Sequence, residues 1–315
     1  MRHLCLATLA ICGLIASEAN ADQHQPTDWL QRMGTALEEA SFRGVVIRQQ
    51  PSKTDTFKIY HTVRDGVIRE RLIRQEGDGL EIIRNGNEVH CVIPDKQAVL
   101  VEPWNGQGTL FSPIEDEMES IAAAYDFQLT GQDRVAGRDA VIVSIKPKDE
   151  MRFARRLWLD EKTGFPLKSE RVDVNGALVE RIRFADIELG AELVDGDFES
   201  RYVLDDFKWY PAAEPQTNDD KTGWYAASLP AGYRMESGRV ERLDRGGAVV
   251  THIVYTDGLS RVSVFIKTGS GSAGTTRNRM GNANSFSVRR GDYRITAVGE
   301  VPPAAVEQIA LSMQR

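Results

Sequence analysis

Alternation of apolar and polar residues runs through most of the chain from Phe42 onwards and predicts β-strands. Segments such as FKIYHTV, EVHCVI and ALVERIRF return to an apolar residue at about every second position, and successive strand residues point to opposite faces of a sheet. Pairs of Asn or Asp with Gly separate such segments and predict tight hairpins, because these residues tolerate a positive φ. The four pairs are Asp65-Gly66, Asn85-Gly86, Asn175-Gly176 and Asp257-Gly258.

The last pair lies in THIVYTDGLSRVSVFI, which spans residues 251–266. A two-residue type I′ turn would place Ile253 opposite Val262 and Thr251 opposite Val264 on one face of the hairpin. The residues predicted on the other face are His252, Val254, Arg261 and Ser263.

Three segments have the apolar spacing of amphipathic helices. Near the start, Thr27 is predicted to cap a helix with Leu30, Met33 and Leu37 on one face. Residues 112–125, SPIEDEMESIAAAY, begin with the Ser, Pro and Glu that are typical of a helix N-terminus. Their acidic run complements the helix dipole, so we interpret it as solvated rather than catalytic. A final helix is predicted to pack on a sheet through Val306, Ile309, Ala310 and Met313.

The pattern of strands, turns and helices predicts an α+β protein built mostly of antiparallel sheet. Along its length, the chain divides into four parts. Residues 1–21 have the basic start, apolar stretch and Ala-Asn-Ala site of a secretory signal peptide. The apolar stretch is well short of the ~20 residues that span a bilayer. We expect a large domain over residues 22–207, a polar linker with two prolines over 208–222, and a smaller β-rich domain with a C-terminal helix over 223–315.

The charge and the cysteines narrow the classes of function. The net charge is −7 and there is no basic stretch, which argues against nucleic acid as the partner. Without the signal peptide, Cys91 is the one remaining cysteine. It lies in an alternating strand, where a buried, unreactive thiol is favoured over a redox role.

The sequence contains no recognisable catalytic motif. The chain has no G-x-S-x-G elbow, P-loop, H-E-x-x-H or C-x-x-C, and its histidines do not stand at metal-ligand spacing. GSGSAG at 269–274 matches a dinucleotide fingerprint, but no helical pattern follows, so a Gly/Ser loop is favoured. We therefore predict no catalytic residue, metal or cofactor, and interpret the chain as a binding protein.

Large aromatic side chains and a group of arginines in the first domain are candidates for a lipid site. The aromatic residues could line a cavity on a curved sheet, although most such residues form ordinary core. The arginines could hold an anionic headgroup at the edge of that cavity. The candidate lipid-binding residues are Trp29, Phe42, Trp104, Phe111, Phe127, Trp158, Arg69 and Arg71.

Several longer segments resemble the RseB/MucB family of periplasmic regulators of envelope-stress sigma factors. They are SFRGVVIRQQ, EIIRNGNEVHCVIPD, RLWLDEKTGFPLKSE, GWYAASLPAGYR, HIVYTDGLSRVSVFI and GDYRITAVGEVPPAAVEQIA. The resemblance implies a periplasmic protein without catalytic activity that binds the periplasmic domain of a single-span anti-sigma factor and shields it from regulated proteolysis. It also implies that the first domain is a LolA/LolB-like half-barrel that senses lipid such as lipopolysaccharide, and that the second domain makes much of the anti-sigma contact.

Contacts with the anti-sigma factor are expected on exposed parts of GWYAASLPAGYR and of the last hairpin, because aromatic residues and arginine carry most interface energy. The candidates are Trp224, Tyr225, Tyr233, Arg234, Tyr255 and Arg261. A homodimer is a further candidate assembly. The main alternative function is a periplasmic carrier of lipid or lipoprotein, and a third is an enzyme acting on envelope glycans, for which no paired carboxylates are recognisable.

Overall fold

The computed structural model describes residues 25–104, 110–111, 114, 118–211, 222–242, 249–269 and 274–315. The predicted signal peptide, most of the predicted linker and the middle of the Gly/Ser segment lie outside these residues. Among the described helices, none combines the length and the apolar character that a membrane span requires.

Twelve strands of the described chain form one large sheet, which is antiparallel except where β12 joins β6. Its order is β12-β6-β5-β4-β3-β2-β1-β11-β10-β9-β8-β7, so the sheet is open, with β12 and β7 at its edges. The strands are β1 Phe42–Gln50, β2 Lys53–Arg64, β3 Val67–Arg74, β4 Glu81–Asn85, β5 Glu88–Ile93, β6 Ala98–Pro103, β7 Tyr125–Val135, β8 Arg138–Pro147, β9 Ala154–Asp160, β10 Pro166–Val172, β11 Leu178–Leu189 and β12 Lys208–Tyr210.

A second, six-stranded sheet follows, in the order β14-β15-β16-β19-β18-β17. A short pair, β13 Tyr225–Ala226 with β20 Met313–Gln314, ties the two ends of this second unit together. The strands of the second sheet are β14 Arg234–Arg242, β15 Val249–Thr256, β16 Arg261–Thr268, β17 Thr276–Met280, β18 Ala283–Arg290 and β19 Tyr293–Gly299. Both sheets confirm the predicted α+β class with mostly antiparallel strands.

Three α-helices occur in the described chain: α1 Pro26–Glu39, α2 Met118–Ala124 and α3 Pro303–Ser312. The predicted cap at Thr27 is wrong, because α1 begins at Pro26 and Asp28 accepts the backbone N–H of Gln25 at 2.8 Å. α2 confirms the second half of the helix predicted over 112–125, while its predicted cap, Ser112, lies outside the described residues. α3 packs on β18 and β19, as its apolar face predicts.

The apolar residues form three main cores. The helix core lies between α1, α2 and strands β8 and β9, and includes Trp29, Met33, Ile121, Val143 and Leu157. The strand core lies along the large sheet and includes Phe42, Ile59, Trp158, Phe165 and Phe184. The small-sheet core joins the second sheet to α3 and includes Trp224, Ile253, Val264, Phe286 and Ile309.

Three predicted hairpins are present in the large sheet. At Asp65-Gly66 both residues have positive φ, +52 and +74, as a type I′ turn requires. The hairpin predicted at Asn85-Gly86 turns one residue later, because Asn85 already pairs with Glu88 and leaves Gly86-Asn87 as the turn. Gly176, with φ +79, lies in the connection between β10 and β11.

The hairpin at Asp257-Gly258 exists, but its predicted register is wrong. Thr256 pairs with Arg261, so the loop has four residues, and Ile253 lies opposite Val264 rather than Val262. The reason is the Asp257 side chain, which accepts the backbone N–H groups of Leu259 and Ser260 at 3.0 and 2.7 Å and so shapes a wider turn. The register moves by two residues, so each side chain keeps its predicted face.

The first three residues of the segment predicted as linker pair with the large sheet. Lys208–Tyr210 forms β12 and pairs in parallel with residues 98–100 of β6. The large sheet therefore extends to Tyr210, three residues into the segment predicted as linker.

Candidate functional site

The loop at residues 257–260 connects the second sheet to the first. Asp257 is buried, and its Oδ2 accepts hydrogen bonds from the Arg152 Nε at 2.6 Å and from the Tyr125 hydroxyl at 2.8 Å. Leu259, in the same loop, packs against the helix core of the first unit. One loop of the second unit is thus held by both polar and apolar contacts with the first.

Arg152 is the centre of this contact and its side chain is fully buried. Its guanidinium also donates to Asp149 and to the backbone carbonyl of Ala231, and lies 5.0 Å from the centre of the Tyr233 ring. Burial disfavours its charge, but the carboxylates of Asp149 and Asp257 outweigh burial and raise the pKa of Arg152. Arg152 therefore stays charged and pairs with Asp257, because a buried carboxylate without a cation beside it would be destabilising.

Tyr125 completes the polar group. Burial, and then the charge of Asp257, raise the pKa of Tyr125 far above its ordinary value. The phenol therefore remains protonated and donates to the carboxylate. Nearby, Arg155 donates to the backbone carbonyl of Leu259.

A second contact joins the units at strands β10 and β11 of the large sheet. Arg171 on β10 forms ion pairs with Glu180 on β11, at 2.8 Å, and with Glu300, just after β19. Asn282, in the turn between β17 and β18, donates to Glu180 at 3.2 Å. We refer to the two contacts, centred on Arg152 and on Arg171, as the junction.

The junction makes stability depend on pH through Glu180. Burial opposes ionisation of Glu180, but Arg171 and Arg48 outweigh burial and hold its pKa below the ordinary value of 4.5. Such a carboxyl stabilises the fold above pH 4.5, and this contribution is lost as the pH falls through the folded pKa. In urea titrations, we expect the free energy of unfolding to fall more steeply between about pH 5 and 3 in the native chain than in Glu180→Gln.

The matched control for this experiment is Glu188→Gln, which removes a carboxylate whose side chain is 53% exposed. It should follow the native pH dependence. Equal slopes for the native chain and Glu180→Gln would contradict the role assigned to Glu180.

The structure separates the six predicted partner contacts into two groups. Trp224, Tyr233 and Tyr255 are buried in the small-sheet core, so their expected exposure is wrong. Burial also raises the pKa of Tyr255 to about 12. They face inward because Tyr255 lies on the same strand face as Ile253, while Trp224 packs on Tyr293 at 5.0 Å between ring centres. The three that lie at the surface are Tyr225, Arg234 and Arg261, the last half-buried and paired with Glu236.

The predicted lipid-binding aromatic residues do not meet in one place. Phe42 and Trp158 are buried in the strand core, with Phe111 packed beside them. Trp29 is buried in the helix core, with Phe127 at its margin. Trp104 lies apart, after β6, where its ring stacks on the Arg84 guanidinium at 3.6 Å. The six residues thus belong to separate clusters and do not line one common cavity.

The predicted basic edge is also largely neutralised. Arg71 is buried and pairs with the fully buried Glu81 at 3.1 Å. Arg69 pairs with Asp195 and lies 4.6 Å from the Phe198 ring centre. The segment Asp195–Phe198 thus covers both arginines, and Arg71 is not available for a headgroup without rearrangement.

The sequence does not point to the junction residues. Arg152 and Asp257 are 105 positions apart, and each follows an ordinary local pattern. The one available signal is the hairpin loop itself, in which Asp257 has the pattern of a turn residue.

Cys91 is half-buried, and burial raises the pKa of its thiol. Within the described ranges, no group of His, Cys, Asp and Glu side chains could hold a metal ion.

Comparison with known proteins finds relatives along nearly the whole chain. The family models for the MucB/RseB N-terminal domain and the MucB/RseB C-terminal domain match residues 25–202 and 218–314. The sigma factor AlgU regulatory protein MucB of Pseudomonas aeruginosa is 29% identical over 313 residues, covering 97% of this chain and 96% of the relative. The sigma-E factor regulatory protein RseB of Haemophilus influenzae is 25% identical over 305 residues, covering 96% and 95%.

Two solved structures of MucB have the same fold. MucB in complex with MucA(peri) matches with a TM-score of 0.74 and 29% identity, covering 92% of this chain and 98% of that chain. A further crystal structure of MucB matches with a TM-score of 0.65 and 28% identity, covering 91% of this chain and 97% of that chain. Both matches extend over the two sheets described above.

Proposed function

Because this chain belongs to the MucB/RseB family, we propose that it is a non-catalytic periplasmic regulator that binds the periplasmic domain of a membrane anti-sigma factor. The observation that carries the proposal is the match of 92% of the chain to MucB in complex with MucA(peri), with both family domains present in order. While bound, the protein would shield the anti-sigma factor from regulated proteolysis. A lipid signal such as lipopolysaccharide would release it.

The junction is the part of the molecule that could couple these two events. Ligand and partner affect each other's affinity only if each prefers a different arrangement of the protein. The 257–260 loop packs the partly buried Leu259 against the helix core of the first unit. A lipid chain that entered this core would compete with Leu259, weaken the Arg152–Asp257 contact and free the second unit to reorient.

Binding of the mature chain, residues 22–315, to the periplasmic region of its cognate anti-sigma factor tests the proposal. We expect a Kd of about 1 µM or lower by isothermal titration calorimetry, since regulators of this kind need specific association. Lipopolysaccharide should weaken this binding by about 5- to 150-fold, the usual range of coupling between two sites. The deacylated saccharide is the matched control and should have no effect, because it has no chain to enter the helix core.

The outcomes separate the alternatives. Lipid binding without affinity for the anti-sigma factor would indicate the periplasmic carrier instead. Anti-sigma binding that lipopolysaccharide leaves unchanged would retain the regulator but remove the lipid signal. A protease-protection assay on the same complex then tests the shielding step.

A further inference from the structure

Charge is distributed unevenly between the two units. Residues 223–315 contain 12 lysine and arginine residues and 7 aspartate and glutamate residues, a formal charge of +5. Residues 22–222 contain 26 and 38 respectively, a formal charge of −12. The second unit is therefore basic within an acidic protein, which favours an acidic partner for its surface.

β17 presents an open edge in this basic unit. It is the last strand of the second sheet, it pairs only with β18 among the described strands, and all five of its residues are exposed. The two-residue turn Gly281-Asn282 closes on the pair Met280 and Ala283, which makes that pair a hydrogen-bonded one. By alternation, the backbone N–H and C=O groups of Arg277 and Arg279 point away from β18, towards the open edge.

The same two arginines border a cleft between β17, β18 and α3. The cleft has a volume of about 270 Å³, and its apolar part consists of Phe286, Pro303 and Val306. Arg277 is held there by Glu307 of α3, at 3.1 Å, and lies 5.0 Å from the Phe286 ring centre. Arg279 donates through Nε to the carbonyl of Gly281, and no described carboxylate pairs with it. Within the described residues, its terminal nitrogens form no ion pair and can therefore meet an anion.

We propose that the open edge of β17 binds an extended acidic segment of the anti-sigma factor by strand addition. The segment pairs with the outward backbone groups of Arg277 and Arg279, inserts an aliphatic side chain into the cleft and sets a carboxylate against Arg279. Strand addition takes its affinity from main-chain hydrogen bonds and its specificity from pockets for alternate side chains, and both are present here. The inference rests on the proposed function, because it takes the anti-sigma factor as the partner.

Three substitutions of Arg279 separate the parts of this proposal. Arg279→Glu reverses the charge and should weaken anti-sigma binding by about 10-fold or more. Arg279→Pro removes the outward N–H but no hydrogen bond to β18, and proline is tolerated on an edge strand, so β17 should be retained. Binding of the anti-sigma factor should weaken by about 10-fold. Arg279→Ala keeps the N–H and should show a smaller loss, about 3-fold.

The matched control is Lys267→Glu, which makes the same change of charge at an exposed residue of β16, away from the cleft. It should change the affinity by less than about 2-fold. A structural readout accompanies the titrations: amide hydrogen exchange of residues 276–280 should slow by at least about 10-fold in the complex, because a new ladder protects the outward N–H groups. Thermal melting of each variant checks that the fold is kept.

Failure of this inference is distinguishable from failure of the proposed function. If the native chain does not bind the anti-sigma region, the proposed function is overturned. If it binds, but the Arg279 variants bind equally well and exchange in β17 is unchanged, the partner docks elsewhere and this inference is overturned. If Arg279→Glu abolishes binding to anionic vesicles but leaves binding to the anti-sigma region unchanged, the edge of β17 binds a lipid surface. This result also overturns the inference.

Discussion

Arg152→Ala is expected to lower the free energy of unfolding by about 3–5 kcal/mol, the usual cost of removing one partner from a buried ion pair. Arg152 and Asp257 have 0% exposed side chains and lie 2.6 Å apart. The substitution leaves Asp257 buried with the Tyr125 hydroxyl and two backbone N–H groups, but without a cation. Urea unfolding followed by tryptophan fluorescence measures the loss, because the chain has tryptophans in both units.

The control for this prediction is Arg134→Ala. Arg134 also pairs with an aspartate, Asp139, at 3.0 Å, but both side chains are 67% exposed, so the loss should stay under about 1 kcal/mol. A similar small loss in Arg152→Ala would show that the contact contributes little.

The same variant also tests the junction as the coupling element. Without Arg152, the contact at residues 257–260 weakens and the arrangement of the two units should vary more, which small-angle X-ray scattering detects as a larger radius of gyration. If the junction couples lipid to partner, lipopolysaccharide should have a smaller effect on anti-sigma binding by this variant than by the native chain. An unchanged lipid effect would move the coupling away from Arg152.

The second large effect is expected at Phe42, which was a candidate lipid contact. Its ring is buried in the strand core, 4.8 Å from the Phe165 ring centre and 4.9 Å from that of His61. Phe42→Ala should therefore cost about 3–5 kcal/mol of unfolding free energy, as expected for a large-to-small change that leaves a cavity. Urea unfolding in the absence of lipid gives this value directly.

Tyr210→Ala is the matched control, since this aromatic residue lies on the edge strand β12 and is 43% exposed. Its effect on stability should be within about 0.5 kcal/mol. A loss below about 1 kcal/mol at Phe42, together with a loss of lipid binding, would reverse the assignment and make Phe42 a ligand contact rather than core.

Local signals in the sequence were sufficient for most of the elements. Asp65-Gly66 forms the predicted turn because both residues adopt the positive φ that a type I′ turn requires, which depends on these two residues alone. The apolar face of α3 packs where its spacing predicts. Asp257 shows the limit, since its side-chain hydrogen bonds to Leu259 and Ser260 widen the loop from two residues to four.

The candidate site was less predictable than the fold. Aromatic residues and arginines are the expected contacts because of their chemistry, yet several of them are buried. Tyr233 and Tyr255 pack in the small-sheet core, and Arg71 forms an ion pair with Glu81. The same type of side chain can stabilise an interface or a core, and only its burial in the folded chain distinguishes the two roles. Tyr225, Arg234 and Arg261 remain predictions for the partner contact.

By itself, the sequence determined the strand alternation, the turns, the helices and the resemblance to a family of regulators, because each depends on neighbouring residues or on whole segments in order. Only the tertiary structure decided which residues join the two units. Arg152 and Asp257 meet across 105 positions, and Arg171 meets Glu300 across 129. No local pattern encodes such pairs, because each forms only after the two units have packed against each other, and in the first pair the packing removes both charges from water.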